Sequence, residues 1–347
     1  MIKIPRHIEI IRSTTVELSS LSQESCDAIY TVLSRHYSMV GVSIVNNEAD
    51  LERLVAKQPD LVFMGMKFLP NKQSQSEKIW ISAYLEDRGI EHTGSSRHAI
   101  EFELNKSLAK QRVLDAGLKT APFLVIKNSQ PYADLGLGLR FPLFVKPTSL
   151  GGGQGIDDNS VVHNLTDLRA QIGSIMAHYS TDVLVEEYLP GREFSVAILQ
   201  DEYSKELAVM PIELVAETNG RGDRILSQKV KSSNQETVLS VIDVRTRARV
   251  VDAATRVFEA LGARDYGRID IRLDAAGVPY FLEANLIPSL ICGYGSFPKA
   301  CALNSGMDYE TMILSIVGLG LARCSDIAEQ EEPEPALTAL FSPAVAV

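Results

Sequence analysis

The chain has 347 residues, of which 45 % are hydrophobic and 22 % charged, a composition typical of a globular protein with two or three domains. Its 34 basic and 44 acidic residues give a net charge of −10, which argues against a general affinity for nucleic acid or anionic lipid. The four cysteines lack metal-ligand spacing, the N-terminus lacks an apolar signal sequence, and the longest apolar stretch, 312–322, is shorter than the roughly 20 residues of a membrane span. We therefore expect a cytoplasmic protein that binds neither nucleic acid nor membrane.

The first hundred residues alternate between strand and helix patterns. Strands are predicted at 8–11, 40–45 and 61–64, and helices at 21–37 (after a Ser20-x-x-Gln23 capping box), 48–57 and 78–88. This alternation predicts a parallel sheet. A GxGxxG sequence is missing after the first strand, so dinucleotide binding is not supported.

The rest of the chain mixes short strands, helices and two long polar segments. Helices are predicted at 103–116, 167–177 and 245–261, and strands at 123–126, 142–146, 183–187, 194–199, 268–273 and 279–285. Residues 217–236 are polar and contain glycine, which predicts a long loop with few apolar anchors that acts as a lid. The tail from 328 is rich in Glu, Pro and Ala and is predicted to be disordered.

A β-hairpin predicted around the turn 274–277 carries the most informative constellation. Its spacing pairs Asp270 with Glu283 and Arg268 with Asn285, and the alternation of side chains places all four on one face. Two facing carboxylates repel each other unless a cation lies between them. Oxygen ligands with few carboxylates suit Mg²⁺, which completes its shell with water and phosphate. The alternative is a surface salt-bridge network of Arg268, Asp270 and Glu283.

Two further segments suggest contacts to a nucleotide. Lys146 ends an apolar strand and is followed by the glycine-rich stretch 150–156, whose backbone N–H groups can close over phosphate oxygens. The alternative is a plain flexible turn, since no Walker A sequence occurs. Glu186, at a strand end, and Glu193 are candidates for reading an adenine amine and a ribose diol, the alternative being ordinary surface glutamates on a hairpin.

Together these segments resemble the ATP-grasp superfamily and, within it, the D-alanine–D-alanine ligase family. The resemblance covers about residues 90–320, and its segments occur in the family's order. They are Asn105-Lys106, Asp115-Ala-Gly-Leu118, Phe141-Pro-Leu-Phe-Val-Lys-Pro147 with the glycine loop, Val183-Leu-Val-Glu-Glu-Tyr-Leu189 through Glu193-Phe-Ser195, Tyr266-Gly-Arg-Ile-Asp-Ile271 and Phe281-Leu-Glu-Ala-Asn285.

The resemblance implies a role for each matching residue. Lys106 and Lys146 would bind phosphates under a loop that contains Gly152 and Gly153. Glu186 and Glu193 would contact adenine and ribose, and Tyr188 and Leu189 would line the base pocket. Lys229 would reach the γ-phosphate, with Lys231 as its competitor. Arg268 would hold the acyl phosphate or tetrahedral intermediate, and Asp270, Glu283 and Asn285 would bind Mg²⁺.

The resemblance also implies an α/β ATP-grasp fold, ATP and two Mg²⁺ ions (with Mn²⁺ as a substitute), small-molecule substrates and a homodimer. Residues 1–102 would form a Rossmann-like domain, 103–191 the central lobe, 192–325 the C-terminal lobe with the magnesium and substrate site, and 326–347 a disordered tail. The implied function is an ADP-forming ligase that joins an amino-acid-like carboxylate to an amine. A true D-alanine–D-alanine ligase, a non-catalytic ATP-binding regulator and another ATP-grasp reaction are the alternatives.

The sequence departs from the family where the amino-acid substrates bind. The glycine loop reads Gly151-Gly-Gly-Gln-Gly155 without the usual serine, and Val230 follows the candidate lysine. The segment Phe63-Met-Gly-Met-Lys67 lacks the family's His-Gly, and the sequence after Asn285 lacks the usual glycine and substrate serine. D-alanine is therefore not the expected preferred substrate.

Overall fold

The structure, a computed structural model, describes residues 2–71, 77–129, 138–233 and 235–330. The N-terminal part contains a parallel three-stranded sheet in the order β2–β1–β3, as the alternating pattern predicts. Its elements are β1 (Ile4–Arg12), α1 (Gln23–His36), β2 (Tyr37–Ile44), α2 (Glu48–Ala56), β3 (Leu61–Phe63), β4 (Phe68–Pro70), β5 (Lys78–Trp80), α3 (Ile81–Glu86) and α4 (Arg97–Leu104).

Two local predictions in this part are wrong. The capping residue of α1 is Ser22, whose hydroxyl accepts a hydrogen bond from the Ser25 N–H, and the predicted box at Ser20 is not formed. The helix predicted at 78–88 begins only at Ile81. Residues 78–80 form β5 because they pair with β4, and a short apolar run fits a strand as well as a helix.

The central part contains an antiparallel four-stranded sheet in the order β6–β9–β7–β8. Its elements are α5 (Lys106–Asp115), β6 (Phe123–Ile126), β7 (Leu143–Pro147), β8 (Val161–Val162), α6 (Leu165–Tyr179) and β9 (Val183–Glu187). The helix predicted at 103–116 is divided at Asn105, whose side chain caps α5 by accepting from the Leu108 N–H at 3.2 Å. The capped end places Lys106 in the first turn of α5.

The C-terminal part is built on a five-stranded antiparallel sheet in the order β12–β11–β10–β13–β14. Its elements are β10 (Glu193–Gln200), β11 (Leu207–Val215), α7 (Gln228–Ser232), β12 (Thr237–Ser240), α8 (Val244–Ala260), β13 (Tyr266–Leu273), β14 (Pro279–Asn285), α9 (Ser296–Ser305) and α10 (Tyr309–Gln330). The sequence did not predict β11 or β12. Helix α10 runs to Gln330, whereas disorder was predicted from 326, and 331–347 lie outside the described residues.

One apolar core joins the first and last parts of the chain. Ile8 and Ile10 of β1 pack in the same cluster as Tyr266 of β13, Phe297 of α9 and Ile316 of α10. The central sheet has a separate core between its strands and α6. Within the described part, no helix is long and apolar enough to cross a membrane.

Candidate active site

The hairpin β13–β14 has the predicted register where it matters for chemistry. Asp270 lies opposite Glu283, and Arg268 lies opposite Asn285. The register shifts immediately beyond Asp270, so that Leu282 is an extra residue in β14. Phe281 therefore lies in the core, whereas Leu282 is only partly buried. Next to the turn Ile271 pairs with Phe281 and Leu273 with Pro279, which is one residue out of the predicted register, and the extra residue Leu282 restores the predicted pairing at Asp270.

Asp270 is held by three side chains from three strands, namely its own strand β13 and the neighbouring strands β10 and β14. Both of its oxygens accept from the Arg268 guanidinium at 3.0 Å, Oδ1 accepts from the Ser195 hydroxyl at 2.8 Å, and the Asn285 amide nitrogen lies 3.4 Å from Oδ2. Burial would lower the pKa of Arg268, but the charges of Asp270 and Glu283 outweigh it and raise that pKa. Asp270 and the Arg268 side chain are both largely buried, so their ion pair is not the exposed surface network that was considered.

Lys106 connects the hairpin to the glycine loop. Its ammonium donates to the Leu150 carbonyl oxygen at 2.5 Å and lies 3.8 Å from Glu283 Oε2. Lys106 itself is buried, whereas a quarter of the Glu283 side chain is exposed. Glu283 is therefore the carboxylate of the predicted set that is open to a ligand.

A buried ion triad lies at the ends of the central strands. Glu186 Oε1 is 2.6 Å from the Lys146 ammonium, and Oε2 is 2.7 Å from the ammonium of Lys110. Burial raises the pKa of Glu186, but the two lysines outweigh it and hold that pKa at about 2. Burial lowers the pKa of Lys110 to about 8 despite the attraction of Glu186. At Lys146 burial acts in the same direction, yet Glu186 and Glu283 raise the pKa overall.

Lys110 was missed by sequence reasoning, although its spacing offered a signal. It lies four residues after Lys106 in α5, which places both lysines on one face of the helix. Its ammonium also donates to the Thr120 hydroxyl at 2.6 Å. The carboxylate of Glu186, predicted to contact adenine, is engaged by ammonium groups at both oxygens in this structure.

Glu193 and Tyr188, both predicted to contact the nucleoside, converge on Arg272. The Arg272 guanidinium donates to Glu193 Oε2 at 2.9 Å, to the Tyr188 hydroxyl at 2.8 Å and to the Arg224 carbonyl oxygen at 3.1 Å. A cavity of about 270 Å³ is lined in part by Glu193, Arg224 and Arg272. Leu189, which follows Tyr188 in sequence, is buried. Arg272 was also missed, although it follows Asp270 by two residues and so shares its face of β13.

The glycine loop packs against the segment predicted to be a lid. Gly152 and Gly153 have φ angles of +64° and +81°, a region that side chains disfavour. A Cβ at Gly153 would lie 3.2 Å from the backbone nitrogen of Gln228 at the start of α7. The two predicted nucleotide-covering segments therefore touch each other at a position that requires glycine.

The lid segment 217–236 has more anchors than its composition indicated. Ile225 and Leu226 are buried, and Arg221 and Asp223 contact α6 and the turn before it through Asp167 and His163. The prediction of few apolar anchors is wrong for these residues. Lys229 lies in α7 and is exposed, and the side chain of its competitor Lys231 lies outside the described part.

The predicted metal ligands suit a magnesium ion better than they suit a metal ion that is coordinated only by protein side chains. Within the described ranges, no group of three His, Cys, Asp or Glu side chains is arranged to hold a metal. The candidate set instead offers Asp270, Glu283 and the amide of Asn285. Two carboxylates with one neutral oxygen fit Mg²⁺, which takes its remaining ligands from water and substrate phosphates.

Comparisons with known proteins identify the family. The family model described as the D-Ala D-Ala ligase C-terminus matches residues 113–318. An uncharacterized protein, y4sG, from Sinorhizobium fredii is 30 % identical over 79 % of this chain and 80 % of its own length. The D-alanine–D-alanine ligases of Bordetella petrii and Geobacter sulfurreducens are 30 % and 24 % identical, covering 78 % and 82 % of this chain and 78 % and 84 % of their own lengths.

Solved structures agree in fold over almost the whole chain. The ATP complex of D-alanine–D-alanine ligase from Bacillus anthracis covers 93 % of this chain and 99 % of its own, with a TM-score of 0.71 at 20 % identity. The VanG D-Ala:D-Ser ligase from Enterococcus faecalis covers 91 % of this chain and 99 % of its own, with a TM-score of 0.69 at 21 % identity. These similarities confirm the predicted ATP-grasp fold. The chain belongs to the D-alanine–D-alanine ligase family of ATP-grasp enzymes.

Proposed function

We propose that this protein is an ADP-forming carboxylate–amine ligase, which activates an amino-acid-like carboxylate with ATP and joins it to an amine. The observation that carries the proposal is the face of β13–β14, where Arg268, Asp270 and Glu283 lie together beside Lys106. This face combines oxygen ligands for a divalent cation with positive charge for phosphate groups. Both are needed to transfer a phosphoryl group and to hold the product of that transfer.

The chemistry explains why such a site is required. A free carboxylate resists attack by an amine because its leaving group would be oxide, whereas an acyl phosphate releases phosphate. Mg²⁺ bound at Asp270, Glu283 and Asn285 would offset the charge of the β- and γ-phosphates. Arg268 would hold the transferred phosphoryl group and then the tetrahedral intermediate, and Lys146 and Lys229 would bind the phosphate chain. Since an acyl phosphate is sensitive to water, the segment 217–236 would close the site.

The remaining nucleotide contacts are proposed from the same arrangement. Lys106 and Lys146 would bind the α- and β-phosphates under the loop of Gly152 and Gly153. The base and ribose would be bound near Arg272 by four residues, Glu186, Tyr188, Leu189 and Glu193. The convergence of Arg272 on Glu193 and Tyr188 supports this placement.

The proposal also covers the division into domains, the metal ions, the cellular location and the oligomeric state. We propose the division into domains at 1–102, 103–191 and 192–325, two Mg²⁺ ions with Mn²⁺ as a substitute, and a cytoplasmic location. Four free thiols suit a reducing compartment. A homodimer is proposed as well, supported by exposed Met39, Val42 and Ile44 on the edge strand β2. Sedimentation of the purified protein tests the homodimer.

Phosphate release from Mg-ATP in the presence of amino-acid pairs tests the activity. We expect release that depends on both an amino acid and an amine, whereas a regulatory protein would show none and a simple carboxylate kinase would not need the amine. We also expect D-alanine with D-alanine to be slower than the best pair. The reason is that the positions that grip the amino-acid ammonium and carboxylate in the family carry groups of different character here, including Gly152, Val230 and Ser289, and unpaired polar groups discriminate strongly between substrates. If D-alanine with itself is the fastest pair, the substrate prediction is wrong.

Limited proteolysis tests the lid. We expect trypsin to cut after Arg221, which is exposed and held mainly by one ion pair to Asp167 at 3.4 Å, and we expect Mg-ATP to protect this bond. Nucleotide bound under the glycine loop would fix α7 through the contact between Gly153 and Gln228. Equal cleavage with and without Mg-ATP would contradict closure by this segment.

A further inference from the structure

An ion pair beside the active site has no part in the mechanism described above. Lys67, four residues after the end of β3, lies with its ammonium 2.6 Å from Glu103 Oε1 in the last turn of α4. The Glu103 side chain is 4 % exposed and that of Lys67 is 18 % exposed. Lys67 belongs to the segment in which the sequence departs from the family pattern.

The second oxygen of Glu103 lacks a donor. Oε2 is buried and accepts no hydrogen bond from any residue that the structure describes. A buried carboxylate oxygen without a donor is unfavourable, and native proteins rarely leave one without a reason. A donor supplied by a bound molecule would satisfy it.

The position of the pair relates it to the reaction site. Helix α4 packs against β14, the strand of Glu283, and leads through Asn105 into α5. Burial lowers the pKa of Arg268, and Glu103 is one of the carboxylates, after Asp270 and Glu283, that raise it. Glu103 is therefore close enough to the residue proposed to hold the intermediate for their charges to interact.

We propose that Lys67 and Glu103 form a specificity-determining pair for the amine-bearing substrate, which the pair would bind as an amino acid. Lys67 contacts the substrate carboxylate, and Glu103 Oε2 accepts a hydrogen bond from its amino group. Opposite charges at fixed separation match the two charged groups of an amino acid, and the ion pair keeps each side chain oriented. The assignment rests on the proposed ligase function and adds the residues that would recognise the acceptor.

The test compares an acceptor with its own amide in wild type and in a Lys67→Met variant. Phosphate release is measured with glycine and with both enantiomers of the other nineteen standard amino acids, and the fastest acceptor is then compared with its carboxamide. We expect wild type to prefer the free carboxylate. In Lys67→Met we expect KM for the acceptor to rise about 10- to 100-fold, the preference over the carboxamide to disappear, and KM for ATP to stay within about twofold.

A double variant separates recognition from structural support. Lys67→Met alone leaves a buried carboxylate without its cation, so its melting temperature should fall. Lys67→Met with Glu103→Leu removes both charges and should regain the melting temperature, because an apolar pair can replace a buried ion pair. KM for the acceptor should remain high. If the double variant restores both the melting temperature and KM for the acceptor, the pair is structural and the proposal is overturned.

A matched control lies elsewhere in the N-terminal part. Lys57 pairs with the buried carboxylate of Glu9 at 2.9 Å, so Lys57→Met should lower the melting temperature and leave the preference for the free acceptor unchanged. A wild type that releases no phosphate with any amino acid would overturn the proposed function and this assignment together. A wild type that turns over, with an unaltered carboxamide ratio in Lys67→Met, would overturn the assignment alone.

Discussion

Replacing Glu283 by glutamine should lower the rate of ADP formation by about 100-fold or more while the protein remains folded. Glutamine keeps the shape of the side chain but removes the charge that would bind a divalent cation opposite Asp270. The fold should survive because a quarter of the Glu283 side chain is exposed and Lys106 keeps its contact with the Leu150 carbonyl oxygen. The measurement is ADP formation against Mg²⁺ concentration, together with the melting temperature.

The Mg²⁺ dependence distinguishes a lost ligand from a general defect. A weakened cation site should shift the half-saturating Mg²⁺ concentration upward, so that high Mg²⁺ restores part of the rate. Glu259→Gln, an exposed position on α8, serves as the control and should behave as wild type. Near-normal turnover of Glu283→Gln at ordinary Mg²⁺ concentration would exclude Glu283 as a ligand.

The hairpin shows how far local sequence can predict a site. The period of two was sufficient to place Asp270 and Glu283 on one face of the hairpin. The register next to the turn is one residue out of the predicted one, however, and the bulge at Leu282 is what brings Asp270 opposite Glu283. The bulge at Leu282 was not predictable, since it depends on which neighbouring side chain fills the core, and Phe281 fills it. The strands β11 and β12 were missed although β11 pairs with the preceding strand β10 and β12 pairs with β11.

The site residues that were missed differ in whether a signal existed. Lys110 and Arg272 repeat the spacing of residues already selected, at four positions along a helix and two along a strand. Lys67 and Glu103 carry no such signal, because they are separated by several elements and meet only when the segment after β3 packs against α4. Periodicity can therefore extend a known site along one element or across one hairpin, but it cannot pair residues from elements that are distant in sequence.

Replacing Glu186 by glutamine should destabilise the protein by about 3–5 kcal/mol, since it removes the only partner of opposite charge within 3 Å for two buried lysines among the described ion pairs. Lys110 and Lys146 would then repel each other in a medium that solvates neither. Nucleotide binding should weaken as well, because Lys146 loses the contact that orients it. Chemical unfolding and ATP affinity measure the two effects. Glu187→Gln is the control. Glu187 is the next residue in sequence and its carboxylate pairs with the exposed Arg140, so the loss of this charge should change the melting temperature little.

The difference in the free energy of unfolding between wild type and Glu186→Gln should depend on pH if the ion triad is its cause. The pKa of Glu186 is about 2 in the folded protein and lies well below its ordinary value of 4.5. Its contribution is therefore fully present above about pH 4.5 and is lost as the pH falls toward 2. The free energy of unfolding of wild type should approach that of Glu186→Gln over this interval, because the protonated carboxyl, like the amide, carries no charge. A stability difference that stays constant from pH 6 to pH 3 would show that the triad does not supply it. In that case the loss in Glu186→Gln would have to come from packing, which an isosteric substitution barely changes.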